Sequence, residues 1–559
     1  MTKIISLVIC TAVLLASCGQ SDSESTASTN AKASGEVGDK VITAQAIRGH
    51  VEVLSSDEFE GRGPNQEGGK KARDYLIEQL KSFGVKPGNN GSWRQQVPLR
   101  EINNTRLSSK ITGEGVDWNL KHGAEFVAEN RRGNGIHAVE GELVFVGHGV
   151  QAPEYDWDDY KGLDCKGKIL VMLVGDPPCV DEKLFGGKAM TYYGRWTYKF
   201  DKARDMGAAG CIVVHRTKWA GYRWEVVSNS NNGRHMDVLQ EDANTKEAAM
   251  EAWVPWGVAG RMMEKTGKTL EQWCEIAATK DFKPVPLQMS FKGAIRTRVD
   301  QYTDENIVGI LPGRDPKLKH EYVIYSAHWD HLGKPGGEEP GTDGIYNGAV
   351  DNASGCAAVL SMAEAFASLK GNHDRSVMFL FVCSEEQGLL GSKYYALNPI
   401  IPPSKTVANI NIDGLGMWDR TEDLQVVGFG QSSLDGLLKS ELEKDGRYAT
   451  PDAEPQKGLY YRSDHFNFAK IGIPALYTKT GDVVKGKPVG YLVKIKDSWT
   501  ATDYHKVSDE LRDIHTCLGA EADARVLFRI GQNLVTSEIW PEWSKKSEFR
   551  ARREKSMGR

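Results

Sequence analysis

Apolar and polar residues in the second half of the chain follow one repeated pattern, in which a short apolar run precedes a polar cluster and then a helical pattern. Runs of about four to eight apolar residues with polar or glycine-rich borders are typical of buried strands. We predict such strands at residues 322–326, 377–382, 408–412 and 473–477. Apolar residues recur at helical spacing between Ala357 and Leu369. The alternation predicts an α/β fold with a central sheet flanked by helices.

The polar clusters after these strands contain residue types that bind metal ions. The five candidates are His328, Asp351, Glu386, Asp413 and His505. Because the carboxyl ends of strands in an open α/β sheet line one crevice, we expect these side chains to converge. Two imidazoles and three carboxylates suit two zinc ions roughly 3.5 to 4 Å apart, with one carboxylate bridging them. The sequence therefore predicts a centre with two metal ions and open positions for water and substrate.

The motifs around these residues occur in a fixed order along the chain. They are His328-x-Asp330, Asp351-Asn-x-Ser-Gly, Glu385-Glu386, Asn411-x-Asp413, Ser463-Asp464-His465 and Tyr504-His505-x-x-x-Asp509. Together they resemble the M28 family of co-catalytic zinc aminopeptidases, closely over residues 300–535 and loosely over residues 40–120. The resemblance implies the zinc-dependent exopeptidase fold, a mixed central sheet flanked by helices. It also implies hydrolysis of N-terminal peptide bonds, with peptides as substrates.

The same resemblance implies roles for individual residues. The implied ligands are His328, Asp351 and Glu386 for one zinc ion and Asp351, Asp413 and His505 for the other. Glu385 would be the general base that takes a proton from the attacking water. Asp330 lies two residues after His328 and is expected to accept the second imidazole N–H of that residue. Tyr504, Tyr460 and Tyr461 are candidates either for stabilising the oxyanion or for packing.

Residues 112–297 interrupt this pattern. Apolar runs near residues 142–150 and 167–174, with a helical segment and a further run at 211–214, resemble an inserted β-rich protease-associated domain. His148 and His215 lie in this insert, but no ligand set comparable to the catalytic one accompanies them, so structural roles are expected. The peptidase domain is thus predicted in two parts, residues 41–111 and 298–540.

Composition adds limits to this interpretation. The 559 residues are too many for one hydrophobic core, which agrees with more than one domain. A hydrophobic fraction of 40%, a charged fraction of 26% and a net charge of -5 are those of an ordinary globular protein. Nothing in this balance indicates a nucleic-acid partner. The basic and acidic residues of 541–559 predict a solvated charged tail.

The first 40 residues predict export. A lysine followed by an apolar run to Ala16 is typical of a signal peptide, predicted here at residues 1–17. The sequence Leu-Ala-Ser-Cys-Gly that ends at Gly19 resembles a bacterial lipobox, so lipidation of Cys18 is expected. Residues 18–40 are predicted to be a disordered tether. These patterns predict a protein held in the cell envelope by its lipid alone, at the outer membrane, facing the periplasm or the surface.

Alternatives to an aminopeptidase remain open at this stage. A carboxypeptidase or dipeptidase of the same fold would bind a free carboxylate through arginines, and the candidates near the ligands are Arg420 and Arg462. A catalytically silent binding protein is disfavoured because such relatives lose ligands. The chain also departs from the family pattern at residues 482–502, an additional segment before His505. This segment is expected to change substrate preference while leaving metal binding intact.

Overall fold

The computed structural model describes residues 38–178, 184–231, 233–240, 247–334, 336 and 342–559. The predicted signal peptide, Cys18 and most of the predicted tether lie outside these ranges, and their predictions stay untested. Within the described part of the chain, every helix is too short or too polar to serve as a membrane span.

The described residues form strands and α-helices throughout. The strands are β1 (Lys86–Pro87), β2 (Arg94–Gly113), β3 (Val116–Asn119), β4 (Val127–Glu129), β5 (Gly135–Phe145), β6 (Gln151–Ala152), β7 (Trp157–Asp158), β8 (Ile169–Leu173), β9 (Gly210–His215), β10 (Arg234–Val238), β11 (Met250–Pro255), β12 (Val285–Leu311), β13 (Tyr322–His328), β14 (Ser376–Val382), β15 (Thr406–Asn411), β16 (Asp423–Val427), β17 (Tyr448–Pro451) and β18 (Ala475–Thr480). The helices are α1 (Ala44–Leu54), α2 (Glu67–Ser82), α3 (Trp196–Asp205), α4 (Thr217–Ala220), α5 (Trp224–Ser230), α6 (Trp256–Glu264), α7 (Leu270–Ala277), α8 (Ser354–Ser368), α9 (Leu390–Leu397), α10 (Leu434–Lys444), α11 (His465–Lys470), α12 (Tyr491–Thr502), α13 (Leu518–Val535) and α14 (Arg550–Ser556).

Sixteen of the described strands belong to one mixed sheet. Its main path is β17-β16-β18-β15-β13-β14-β12-β5-β8-β9-β11-β4. Strands β14, β13, β15 and β18 are parallel, whereas β12 and β16 pair with this group in the antiparallel direction. The predicted fold class, a mixed central sheet flanked by helices, is confirmed. The four parallel strands share one carboxyl edge, where the candidate ligands were predicted.

Burial explains why the predicted strands are apolar without alternation. All seven residues of β14 are buried, and β13 is buried except at its first residue. Helix α8 lies on this part of the sheet and is itself buried on nearly all sides by α1, α2 and α13. Each Val, Leu, Phe or Met side chain in this layer contributes about 1.5–3 kcal/mol of hydrophobic free energy when fully buried. The site is therefore built on a deeply buried part of the molecule.

Two long strands join the predicted insert to the rest of the sheet. Strand β12 runs for 27 residues, pairing with β5 and β2 along most of its length and with β14 at residues 307–311. The boundaries predicted at 111/112 and 297/298 fall inside β2 and β12. The insert nevertheless has a hydrophobic core of its own around β5, β8 and β9. The division into domains, and the resemblance of the insert to a protease-associated domain, stay predictions.

The residues of the predicted charged tail pack against the protein. Trp543 and Phe549 are only 2% and 4% exposed. The buried guanidinium of Arg553 donates hydrogen bonds to the carbonyl oxygens of Pro403 and Thr406, at 2.6 and 2.9 Å. The expectation of a solvated end is wrong for these side chains. A prediction from the number of charged residues misses the two buried aromatic residues. It also misses an arginine whose guanidinium is hydrogen-bonded to main-chain oxygens.

Gly531 gives a test of this packing. Helix α13 approaches β13 so closely that the Tyr325 hydroxyl donates to the carbonyl oxygen of Leu527 at 2.8 Å. A Cβ at position 531 would collide with that hydroxyl, whereas a Cβ at Gly436 of α10 would meet nothing within 4 Å. Gly531→Ala should lower the free energy of unfolding by about 1–3 kcal/mol. The control Gly436→Ala should raise it by up to about 1 kcal/mol in the same denaturant titration. Equal effects of the two variants would contradict this packing.

Candidate metal centre

The five predicted ligands are delivered to one place by different elements. His328 is the last residue of β13, Asp413 follows β15 by two residues, and Glu386 follows β14 by four. Asp351 lies in an irregular turn directly before α8, and His505 lies just after α12. The turn and strand ends place all five side chains at the shared carboxyl edge of the parallel strands, as the sequence predicts.

The distances divide these side chains into two groups that share Asp351. His328 Nε2 lies 3.4 Å from Asp351 Oδ1 and 3.5 Å from Asp413 Oδ1. On the other side, His505 Nε2 lies 3.2 Å from Asp351 Oδ2 and 3.1 Å from Glu386 Oε2. One group is therefore His328, Asp351 and Asp413, and the other is Asp351, Glu386 and His505.

This division differs from the expected one. The resemblance implied Glu386 beside His328 and Asp413 beside His505, whereas the structure places Asp413 beside His328 and Glu386 beside His505. The reason is the path of the chain after β14. Ser384 adopts a left-handed conformation with φ of 53°, and the turn carries Glu386 toward His331. His331 Nδ1 lies 2.6 Å from Glu386 Oε1, which leaves Oε2 facing His505. Motif order along the chain contains no information about this turn.

Glu385 has a different environment from its neighbour. Its carboxylate lies within 4.8 Å of donor atoms of His328 and Glu386, yet makes no hydrogen bond to any residue in the described ranges. Burial, reinforced by the Asp413 and Glu386 carboxylates, raises the pKa of Glu385 well above its usual range, although His328 opposes the shift. A carboxylate with free oxygens and a raised proton affinity can accept a proton.

Asp330 is near the site, but its contacts are not the predicted ones. His328 Nδ1 lies 3.1 Å from the main-chain oxygen of Asp330, whereas the carboxylate of Asp330 is 3.9 Å away. That carboxylate instead accepts the main-chain N–H groups of Glu385 and Glu386, at 3.1 and 3.4 Å. The imidazole is thus oriented by the backbone of Asp330, and the side chain holds the turn that carries the two glutamates.

Three further residues support the site and were not given roles from the sequence. His331 contacts Glu386, as described above. The buried guanidinium of Arg62 donates to the carbonyl oxygens of Trp329, Asn347 and Gly348, at 3.0, 2.6 and 2.8 Å. Asp509 accepts the main-chain N–H of Asp351 at 3.1 Å. The only sequence signals were that His331 directly follows Asp330 and that Asp509 ends the last motif.

The three candidate tyrosines are in different environments. The Tyr504 ring stacks on His505, with centroids 3.9 Å apart, and the residue is 43% exposed. Tyr461 donates its hydroxyl to Met190 O and Glu548 Oε1, so this hydroxyl is engaged in packing. The buried hydroxyl of Tyr460 has no partner among the described residues.

A fourth tyrosine also reaches the centre. The hydroxyl of Tyr477, in β18, donates to the carbonyl oxygen of Asp413 at 3.4 Å. From the sequence, this residue is predicted only as part of a strand. Among the tyrosines of the described ranges, Tyr504 and Tyr477 contact candidate ligands.

The centre contains an excess of negative charge. Although burial opposes protonation of His505, hydrogen bonds to Asp351 and Glu386 raise the pKa of this imidazole to about 10. Burial raises the pKa of Asp464, behind the site, to about 7. Such shifts occur where carboxylates crowd together, an arrangement that a bound cation stabilises.

Known proteins resemble part of this chain in sequence. The model of Peptidase family M28 matches residues 306–526. Aminopeptidase YwaD of Bacillus subtilis (strain 168) is 30% identical over 186 residues, which are 32% of this chain and 36% of that protein. Leupeptin-inactivating enzyme 1 of Streptomyces exfoliatus is 28% identical over 239 residues, 40% of this chain and 47% of that protein. The chain thus matches less than half the length of these curated relatives.

Among solved structures, an aminopeptidase from Aneurinibacillus sp. strain AM-1 is similar with a TM-score of 0.47 and 18% identity, over 90% of this chain and 98% of that one. The family match covers the sequence between β12 and α13, which contains all five candidate ligands and Glu385. The predicted resemblance is confirmed for this part of the chain, and residues 306–526 have the sequence pattern of Peptidase family M28.

Proposed function

We propose that this protein is a metallo-aminopeptidase that removes N-terminal residues from peptides with two zinc ions and Glu385 as general base. The observation that carries the proposal is the pair of donor groups sharing Asp351, with the unbonded carboxylate of Glu385 beside them. The match to Peptidase family M28 and the likeness to a protein named an aminopeptidase support it.

The donor groups fit zinc. His328 Nε2 is buried without a hydrogen-bond partner in the described chain, although two carboxylates lie within 3.5 Å of it. Zinc binds imidazole nitrogen and carboxylate oxygen and, in catalytic sites, leaves a coordination position for water. His328, Asp351 and Asp413 would hold one ion, and Asp351, Glu386 and His505 the other. When bound, two zinc ions lower the pKa of water toward about 7 and polarise the scissile carbonyl.

The chain's own residues carry the proton transfers. Glu385 accepts a proton from the attacking water and later donates it to the leaving amine nitrogen. Asp330 keeps the Glu385 carboxylate directed into the site because it fixes the main-chain N–H of that residue. The exposed Tyr504 ring is stacked on His505, so we expect it to lie beside a bound peptide.

A carboxypeptidase or dipeptidase is the second candidate, and the arginines named for it offer little support. Arg420 donates to the carbonyl oxygen of Asp445 and Arg462 to that of Lys457, so both guanidinium groups have main-chain partners. A silent binding protein is less favoured because the complete donor set and the Glu385 carboxylate are both retained.

Glu385→Gln and Glu386→Gln separate the two glutamates. An amide at position 385 cannot accept a proton, so the rate should fall by about 10² to 10⁴ while two zinc ions stay bound. Glu386→Gln removes a ligand that also accepts from His331, so it should give less than two zinc ions per chain. Metal analysis and peptide hydrolysis of the same preparations measure both effects. Loss of zinc in Glu385→Gln with full loading of Glu386→Gln would reverse the assigned roles.

Substrates with and without a free α-amine test the reaction class. An aminopeptidase holds the amine beside the metal ligands, so an N-acetylated peptide should be hydrolysed at least about a hundredfold more slowly than the free peptide. A C-terminally amidated peptide is the matched control and should be hydrolysed at an unchanged rate. If acetylation has no effect and amidation abolishes turnover, the protein is a carboxypeptidase.

We also propose export and attachment to the cell envelope through a lipid on Cys18, supported by the sequence pattern of residues 1–19. Cells grown with a labelled fatty acid should label the wild-type protein and leave Cys18→Ser unlabelled. Label on the Cys18→Ser protein would contradict the assignment of this residue.

A further inference from the structure

The segment that departs from the family pattern, residues 482–502, ends in helix α12 beside the metal centre. Lys496 anchors the helix, since its Nζ donates to the carbonyl oxygens of Thr480 and Gly481 at 3.0 and 3.1 Å. The carbonyl oxygen of Trp499 then accepts the N–H of Tyr504 at 3.0 Å. His505 follows directly. A short turn therefore connects the end of α12 to the candidate ligand His505.

Trp499 connects this helix to a second candidate ligand, Asp351. Its indole Nε1 donates to Asp509 Oδ1 at 3.1 Å. The same carboxylate accepts the N–H of Val350 on Oδ1 at 3.2 Å and the N–H of Asp351 on Oδ2 at 3.1 Å. Asp509 is fully buried. The Asp509 carboxylate therefore accepts hydrogen bonds both from the Trp499 indole and from the main chain of Asp351.

We propose that Trp499 is a positioning residue for metal binding: its indole N–H fixes the Asp509 carboxylate, and this carboxylate fixes the main chain of Asp351. The inference rests on the proposed function, because it assumes that Asp351 is shared by two zinc ions. It assigns to the additional segment a part in building the metal centre itself.

The indole N–H matters because Asp509 has few other partners. In the described chain, no lysine or arginine forms an ion pair with its carboxylate, and its side-chain oxygens are held by these three N–H groups. Without the indole donor, Oδ1 keeps only the N–H of Val350, and the carboxylate gains freedom to rotate. A buried carboxylate that loses a donor moves to recover it. The N–H of Asp351 then loses a fixed acceptor.

A ligand shared by two ions is sensitive to such movement. Productive metal geometry requires ligands held to within about 0.5 Å. Groups that orient a ligand from behind typically change metal affinity by about 10- to 100-fold when removed. From the sequence, residues 482–502 are expected to affect substrate preference only. The proposal adds a direct effect of Trp499, within this segment, on zinc affinity.

The experiment compares Trp499→Phe with Trp418→Phe in the full-length protein. The Trp418 ring lies 6.3 Å from the Trp499 ring in the same aromatic cluster, but its indole N–H contacts no described acceptor. Zinc affinity is measured by competition with a chromogenic chelator. Trp499→Phe should weaken the binding of at least one zinc ion by about 10- to 100-fold. Trp418→Phe should leave both affinities within about twofold of wild type.

Equal zinc affinities of Trp499→Phe and the wild-type protein would overturn the inference, and so would equal losses in both variants, which would indicate a packing effect. If Trp499→Phe does not fold, β-(3-benzothienyl)alanine at position 499 keeps the ring shape and replaces the N–H by sulfur. The same loss of zinc affinity is expected from it, and wild-type affinity would overturn the inference. Failure of the proposed zinc centre is recognised separately, because the wild-type protein itself would then bind no zinc, and failure of the aminopeptidase assignment is recognised from the acetylated and amidated peptides.

Discussion

The two oxygens of the Asp351 carboxylate lie against different histidines, Oδ1 at 3.4 Å from His328 and Oδ2 at 3.2 Å from His505. Two neighbouring side chains keep this buried carboxylate in that position. Arg62 satisfies the carbonyl oxygens of the preceding turn, and Asp509 accepts the N–H of Asp351. A buried charge without such support would be neutralised by a proton or would move toward water. The ends of the buried parallel strands supply His328, Glu386 and Asp413, and the chain after α12 supplies His505.

The electrostatic balance of the site follows from the same constraint. Carboxylates from three strand ends and one turn converge on two imidazoles, so the site is short of positive charge. Burial and the neighbouring carboxylates raise the pKa of Glu385, and hydrogen bonds to Asp351 and Glu386 raise the pKa of His505 against the effect of burial. Divalent cations at the two donor groups would remove this shortage, and they would leave Glu385, which coordinates nothing in either group, available for proton transfer. Metal binding and proton transfer by Glu385 thus depend on the same cluster of buried carboxylates.

Much of this could be predicted from the sequence. Strands β13, β14 and β15 are buried on both faces, and for this reason short apolar runs followed by polar clusters predicted them. Residues at the ends of parallel strands must meet at one edge, and for this reason the ligands could be named. Chain order does not determine which histidine each carboxylate faces. The turn at Ser384 places Glu386 beside His505. A single residue in the left-handed conformation produces no periodic pattern in the sequence, so this turn could not be predicted.

Other features depend on contacts between segments distant in sequence. Asp330 was expected to orient His328 because the two are close in sequence, but the nearest donors to its carboxylate come from the turn after β14. Arg62 is 267 residues from Trp329, whose carbonyl it binds, so no local pattern could indicate its role. The C-terminal segment looked solvated because charged residues outnumber its aromatic anchors.

We propose that two metal ions share Asp351, with His328 and Asp413 on one side and Glu386 and His505 on the other. Crystals of the zinc-loaded protein, with anomalous differences collected on both sides of the zinc absorption edge, test it most directly. We expect two peaks roughly 3.5 to 4 Å apart, each next to one oxygen of Asp351. A single peak, or two peaks with Glu386 beside His328 and Asp413 beside His505, would contradict it.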